Sequence, residues 1–449
     1  MIDYSLFYGR SLLKEELPFK LTEEITGKLK KAPAFVTVNG EKVCARCASV
    51  STVSRRYPCT CGGTCLYCRE CIGLGKVREC AMLYTLTDPR QFVSFDKPCL
   101  KWEGQLSAQQ SEASSQVIES ILAYTETILW AVAGAGKTEM LFRGIQEALE
   151  DNKRVCIASP RVDVCLELAP RIHDAFPDVP LAVLYGGAEE SYRYTQLVIA
   201  TTHQLYRFDD AFDVLIIDEV DAFPYHLNQA LLFAADKARR KPSCLIHLTA
   251  TPDRCMQKRI SSGEIKAVIL PARYHGFALP VPEGVYHKST LVNESQAEKT
   301  VLIRHMQQLV DQKQTFLLFL PTIALMGKLE PILKSIFSEV SFECVHSRDI
   351  LRKEKVKKMR DGELIFLVTT TILERGVTFE NIDVLVWEAD HAVFTEAALV
   401  QIAGRAGRSK NHPDGKVTFY HHGWTKAMKA AVKQIKRMNH LARRRGLIR

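Results

Sequence analysis

The sequence predicts an α/β protein with two parallel sheets in tandem, preceded by a small cysteine-rich domain. Three observations carry this reading. Short apolar runs alternate with helical patterns twice, on either side of an irregular stretch from Pro271 to about Asn293. Nine of the fourteen cysteines lie between Cys44 and Cys99, ahead of the first of these runs. At about 150 residues per domain, 449 residues leave room for roughly three domains.

Composition excludes other classes. With 47% hydrophobic, 25% charged and 8% aromatic residues the chain is neither disordered, collagen-like nor a disulfide-dense small fold. The net charge of +9 is unevenly placed: residues 409–449 carry +10, residues 1–100 carry +5, and residues 101–408 carry −6. An acidic body between basic ends suggests a polyanionic partner, nucleic acid first. Met1 opens onto acidic and polar residues, and the most apolar stretch, Phe316 to Met326, is too short to span a bilayer and contains Pro321. The expectation is a cytoplasmic protein, in which clustered cysteines bind metal rather than form disulfides.

The elements follow in order. In the N-terminal hundred residues, Cys44 and Cys47 make a clear x₂ pair, followed by Cys59, Cys61, Cys65, Cys68 and Cys71. Zinc takes four tetrahedral ligands, usually as two such pairs. Cys65/Cys68 or Cys68/Cys71 can supply the second pair; the compact knuckle Tyr67–Cys71 followed by Ile72-Gly73 favours Cys68 and Cys71. The predicted zinc ligands are Cys44, Cys47, Cys68 and Cys71; seven cysteines also leave room for a second metal, or for a mixed set that includes Cys59, Cys61 or Cys65. Cys80 and Cys99 read as ordinary small apolar residues. Arg46, Arg55, Arg56, Arg69, Lys76 and Arg78, with Tyr57 and Tyr67, suit a surface that follows phosphates and stacks on single-stranded bases; a structural knuckle with a solvated basic face is the rival.

The first α/β series has predicted strands at Thr127–Val132, Arg154–Ser159, Leu181–Tyr185, Leu197–Ala200, Val214–Ile217 and Cys244–Leu248. Residues 131–138 read AVAGAGKT, between a strand and a helix. Gly134, Ala135 and Gly136 can wrap main-chain amides around phosphates, Lys137 reaches the β and γ phosphates, and Thr138 offers its hydroxyl to magnesium. Ala131 stands where this loop usually starts with glycine. Further on, the strand ending at Ile217 runs into Asp218-Glu219-Val220-Asp221. Alone, an acidic tetrapeptide is a solvated turn. Paired with the phosphate loop, Asp218 can hold the magnesium shell and Glu219 can polarise the attacking water.

The second series has predicted strands at Thr315–Leu320, Ser341–Val345, Leu364–Thr369, Val384–Trp387 and Lys416–Tyr420. Trp424–Arg445 reads as a basic helix with Lys426, Lys429, Lys433, Lys436 and Arg437 on one face. The predicted domains are 1–104, 105–285 and 286–449.

AVAGAGKT, the DEVD box, Thr249-Ala250-Thr251 and Gln401–Arg408 (QIAGRAGR) occur in the order of superfamily 2 helicases, and residues 102–422 resemble that superfamily. The resemblance implies two RecA-like P-loop domains with parallel sheets, after the small zinc-binding domain, clamping one ATP. It places Gln110 (Gln109 in another register) as the adenine reader, and Gly376 in the nucleotide site. Arg161 of Ser159-Pro160-Arg161, Thr201, Thr202 and Thr370 would touch the nucleic-acid backbone. Arg405 and Arg408 would stabilise transferred charge, an effect worth roughly 10³–10⁵ in rate, Gln401 would place the water or γ-phosphate, and the Thr-Ala-Thr loop would couple site to strand. Thr378 departs from the pattern, standing where many relatives have an aspartate near the ribose.

A cysteine finger ahead of such a motor resembles the ComFA family of bacterial competence ATPases; the Cys68–Cys71 knuckle, Trp102-x-Gly104-x-Leu106 and Leu373–Val377 carry the likeness. The motor is also similar to that of PriA, whose cysteines lie between motor motifs. The family likeness implies an ATP-dependent single-stranded DNA translocase that draws transforming DNA into the cytoplasm during natural competence. ATP, Mg²⁺ and Zn²⁺ would be its cofactors. ComFC, DprA and the ComEC membrane channel would be its partners at the inner face of the membrane, with a homo-oligomer as one working form. The alternatives are a PriA-like 3′–5′ DNA helicase in replication restart and an ATP-gated DNA-binding adaptor without processive movement.

Overall fold

The computed structural model describes residues 3–50, 56–188, 192–288, 299–377, 379–410 and 413–448. Arg55 and Thr378, singled out above, lie outside them. The chain divides into two compact units, Met1–Leu129 with Lys137–Val268, and Trp130–Gly136 with Ile269–Arg449.

In the first unit the N-terminal segment contributes helix α1 (Glu23–Lys28) and six short strands: β1 (Lys30–Pro33), β2 (Phe35–Val38), β3 (Glu41–Cys44), β4 (Tyr57–Pro58), β5 (Thr64–Cys65) and β6 (Met82–Thr85). β1 pairs with β6, β2 with β3 and β4 with β5, all antiparallel. The β2–β3 hairpin turns on Asn39 and Gly40, both at positive φ (50° and 82°), as a tight hairpin turn requires. It sets Cys44 opposite Phe35 at its base.

Seven strands follow: β7 (Glu126–Ala131), β8 (Val155–Ser159), β9 (Leu181–Leu184), β10 (Leu197–Thr201), β11 (Phe212–Asp218), β12 (Arg239–Thr249) and β13 (Lys266–Leu270). Their order is β13-β7-β12-β11-β8-β10-β9. Strands β9, β10, β8, β11 and β12 are mutually parallel, so their carboxyl ends share one edge. β8, β10 and β11 are buried at every residue, which is why they read as unbroken apolar runs. Helices α2 (Ala108–Ala123), α3 (Phe142–Glu150), α4 (Val162–Ala175), α5 (Gln229–Ala238) and α6 (Arg254–Ser261) connect them.

The second unit holds a sheet of β14 (Glu283–Tyr286), β15 (Thr315–Phe319), β16 (Phe342–Val345), β17 (Phe366–Thr369), β18 (Ile382–Val386) and β19 (Val417–His421). Its order is β14-β19-β18-β15-β17-β16, and every pairing is parallel. Helices α7 (Val301–Asp311), α8 (Ile323–Ile336), α9 (Arg352–Arg360), α10 (Glu396–Ala403) and α11 (Lys426–Arg444) complete it. Two strands depart from the sequence reading. β13 was not expected, and β14 falls inside the stretch read as irregular, because its Glu283-Gly284 start breaks the apolar pattern. The basic helix forms as expected: Met428, Ala431, Ile435 and Met438 are buried, while Lys426, Lys429, Lys433, Lys436 and Arg437 lie on its outer side. Among the described residues no helix is long and apolar enough to cross a membrane.

Candidate active site and metal centre

The phosphate loop grows from β7, whose last five residues are buried. Gly134 and Gly136 sit at φ +82° and +72°, a region side chains other than glycine rarely enter, which explains both glycines. Lys137 is half-buried and Thr138 buried, at the start of a single 3₁₀ turn, Glu139–Leu141, that leads into α3. Ala131, in place of the usual first glycine, ends the strand fully buried, where no unusual backbone angle is needed.

Asp218 ends β11, buried, and accepts the main-chain N–H of Glu219 at 2.8 Å. Burial lifts its carboxyl to about 6; Lys137 opposes this and Glu219 adds to it. The next residue, Glu219, stands at φ +55°, a strained position for a residue with a side chain and one typical of functional sites. Asp221 accepts from Thr249 Oγ1 at 2.7 Å and from Thr251 Oγ1, while the Thr251 N–H donates to Thr249 Oγ1 at 3.0 Å. The Thr-Ala-Thr loop is thereby wired to the acidic box, a role for Asp221 that the sequence did not assign.

The parallel strands bring the remaining first-unit candidates to the same carboxyl edge, where open α/β sheets bind ligands. Arg161 follows β8, half-buried; Thr201 ends β10 and Thr202 opens the turn after it. Thr202 is completely buried and Thr201 nearly so, so Arg161 alone of these three keeps substantial surface. Gln110 is buried in the first turn of α2, where its side chain accepts the Ser107 N–H at 2.9 Å in a capping box.

In the second unit, Thr370 follows β17 and is buried, and Gly376 lies at φ +70°. Helix α10 is capped by Thr395 and carries Gln401, whose buried Nε2 has no hydrogen-bond partner among the described residues. A buried donor so placed fits a polar ligand. Arg405 is buried and donates to the Glu374 carbonyl at 3.1 Å; Arg408, half-buried, donates to the Gly404 carbonyl at 3.0 Å.

The sequence missed Arg273. It is buried and donates to the carbonyls of Gly407, Ala406 (2.8 Å) and Gly404 (3.4 Å), closing the carboxyl end of α10. Burial, then Arg408, draws its guanidinium down to about 9. Its stem lies against Gly134, and the Tyr274 N–H donates to the Gly134 carbonyl at 3.0 Å. An arginine inside a Pro, Gly and His stretch carries no periodic signal, so only the fold reveals it.

The predicted zinc ligands converge. The sulfurs of Cys44, Cys47, Cys68 and Cys71 lie within 4.8 Å of one another, with Cys47 and Cys68 3.5 Å apart. A tetrahedron with Zn–S bonds of about 2.3 Å has sulfurs about 3.8 Å apart, so this set fits zinc. All four are buried in one apolar cluster with Tyr206, Leu231, Ala235 and Ala238 of the α/β layer. Arg46, read as part of a strand-following surface, is instead fully buried. It donates to both Glu16 oxygens (2.8 and 3.0 Å) and to the Tyr206 carbonyl (3.4 Å), and Arg207 donates to Glu16 at 2.7 Å. Burial would raise Glu16, but Arg46 and then Arg207 outweigh it and hold its carboxyl below the usual range. Half-buried Lys237 donates to the Arg46 carbonyl at 3.1 Å, and desolvation of its ammonium brings it down to about 8. Arg56, Arg69 and Lys76 stay exposed and Arg78 half-exposed, with Lys76 over the Tyr67 ring at 4.4 Å. Cys80, read as an isolated apolar residue, is exposed, and its sulfur lies 3.7 Å from that of Cys59.

Family models match three stretches: residues 4–85 as the competence protein ComFA N-terminal domain, 103–254 as the type III restriction enzyme res subunit, and 298–410 as the helicase conserved C-terminal domain. The chain is 42% identical over 441 residues to competence protein ComFA of Bacillus subtilis, covering 97% of this chain and 94% of that one. It is 38% identical over 440 residues to competence protein ComFA of Streptococcus pneumoniae, covering 96% and 98%. Its fold is similar to that of S. cerevisiae Dbp5 bound to RNA and ADP BeF3, at a TM-score of 0.53 and 14% identity over 74% of this chain and 92% of that one. The fold is thus the expected pair of RecA-like domains with parallel sheets behind a four-cysteine domain. The chain belongs to the competence protein ComFA family and is a helicase-like ATPase of superfamily 2.

Proposed function

We propose that this ATPase is a motor that moves along single-stranded DNA and draws transforming DNA into the cytoplasm during natural competence. The observation that carries this reading is the meeting of Lys137, Asp218 and the Asp221–Thr249–Thr251 link at one sheet edge. In this reading Gln110, Gly134, Ala135, Gly136, Lys137, Thr138 and Gly376 hold ATP, and Thr138 and Asp218 hold magnesium, which supplies charge neutralisation at the phosphates. Glu219 orients and deprotonates the water. Gln401 contacts the γ-phosphate or the water, and Arg405 and Arg408 stabilise the transferring charge. The Asp221–Thr249 bond relays the state of the phosphates toward the strand, which Arg161 holds, with main-chain support around Thr201, Thr202 and Thr370.

Zinc held by Cys44, Cys47, Cys68 and Cys71 fixes the finger. Residues 1–104 form the finger domain, with 105–285 and 286–449 the motor halves. Family likeness supports ComFC, DprA and the ComEC channel as partners, a position at the inner face of the membrane, and self-association as a working form.

The test is ATP turnover with and without single-stranded DNA, beside strand-displacement and translocation assays on the same sample. DNA-stimulated turnover lost in Lys137→Ala and Glu219→Gln, with movement but no unwinding, is the expected result. Turnover unchanged in both variants overturns the site. Unwinding would favour the restart helicase, and neither movement nor unwinding the adaptor.

A further inference from the structure

The finger holds more sulfur than one ion needs. Besides the buried set, Cys59, Cys61, Cys65 and Cys80 bring four sulfurs within 4.8 Å of one another. Cys61 and Cys65 are 3.5 Å apart, and Cys59 and Cys80 3.7 Å apart. These separations match the edges, about 3.8 Å, of a tetrahedron of thiolates around one zinc.

We infer that these four cysteines form a second metal site, which takes one zinc ion independently of the first. Local backbone structure places every ligand. In the β4–β5 hairpin Tyr57 faces Cys65 and Pro58 faces Thr64. The Cys59 N–H donates to the Gly63 carbonyl at 2.8 Å, and the Gly62 N–H returns to the Cys59 carbonyl at 3.0 Å, folding the turn so that Cys59, Cys61 and Cys65 face one point. The fourth sulfur comes from across the finger. Tyr67 bridges to Arg78 and the Glu79 N–H donates to the Leu66 carbonyl at 2.9 Å, which carries Cys80 alongside the hairpin.

The chain thus weaves two sites in alternation: the first takes the pairs Cys44/Cys47 and Cys68/Cys71, and the second takes Cys59, Cys61 and Cys65 between those pairs and then Cys80 after them. Packing alone does not account for the second set. The first four cysteines lie in an apolar core, whereas Cys61 and Cys80 are exposed and Cys59 and Cys65 half-buried. An iron–sulfur cluster would hold its thiolates farther apart, around a core of irons and sulfides; this spacing suits a single ion. The hairpin so fastened carries Tyr57, whose ring lies 5.8 Å from that of Tyr67, with Lys76 over Tyr67. The second ion would therefore hold in place the aromatic and basic part of the finger that remains at the surface.

The test is metal content of the full chain, purified under reducing conditions without added metal. Two zinc ions per chain are expected, falling to one in Cys61→Ser/Cys80→Ser with the melting transition retained. One zinc in the wild type, or two in the double variant, overturns the inference. So does a non-reducing thiol count showing Cys59–Cys80 and Cys61–Cys65 disulfides in fresh protein. If the double variant loses both ions, chelator titration of the wild type decides. Release in two kinetic steps, fast from the exposed site and slow from the buried one, supports two sites. Release of a single equivalent refutes them.

Discussion

Thr249 donates its hydroxyl to Asp221 at 2.7 Å, joining the end of β12 to the acidic box after β11. The bond ties the loop that would sense nucleic acid to the carboxylates that would hold the metal. Thr249→Val keeps the side-chain shape and removes the donor. Leaving a buried acceptor short of a partner costs about 1–3 kcal/mol, so the melting temperature should fall measurably. Turnover with single-stranded DNA should drop more than turnover without it. Equal losses in both would show that the bond is structural only.

If Arg405 and Arg408 serve the transferred phosphoryl, Arg273 would act on the chemistry through the loop that it closes. In Arg273→Met three carbonyls at the end of α10 lose their donor and Arg405 and Arg408 lose their fixed register. A misplacement of this kind can cost about a hundredfold in rate. The expected signature is a fall in kcat with little change in the KM for ATP, partly restored in Arg273→Lys. A rise in KM alone would mean that Arg273 serves binding and not positioning.

Glu16 gives the finger a pH dependence. Its carboxyl is held below its unfolded value of about 4.3. The stability it contributes is therefore present above that value and lost as pH falls through the lower folded value. At neutral pH, Glu16→Gln leaves Arg46 buried without its counter-charge, a loss of about 3–5 kcal/mol. Melting curves of wild type and variant should converge as the solution is acidified below about pH 4. A constant gap would exclude the ion pair as the cause.

The basic face of α11 cannot be tested by cutting the helix off, because Met428, Ala431, Ile435 and Met438 on its other side are core residues. Charge removal avoids this. Lys429→Gln/Lys433→Gln/Lys436→Gln should weaken single-strand binding and lower the salt slope by about 0.7 for each phosphate no longer neutralised. A slope equal to that of the wild type would leave this face without a role in DNA binding.

Much of this was legible in the sequence because it is local. Buried parallel strands write themselves as apolar runs, so β8, β10 and β11 are legible to within a few residues. The phosphate loop and the Cys44/Cys47 and Cys68/Cys71 pairs are short motifs whose spacing is their chemistry. What a local pattern does not carry depends on distant partners. Arg273 matters for carbonyls more than 130 positions away. Arg46 looked like a DNA contact until the fold brought Glu16 and Arg207 around it. Cys80 was isolated in sequence and became one of four sulfurs in space.

The buried cysteines share their apolar cluster with Tyr206, Leu231 and Ala235 of the motor. A finger mounted on a tether would lose only its grip if stripped of metal. Here the four cysteines that would hold the ion are part of the wall of an ATPase domain, so removing such an ion would open that domain's interior. If zinc is the ion held there, a shortage of it would reduce the number of folded ATPase domains in the cell, while each copy that kept its ion would turn over as fast as before.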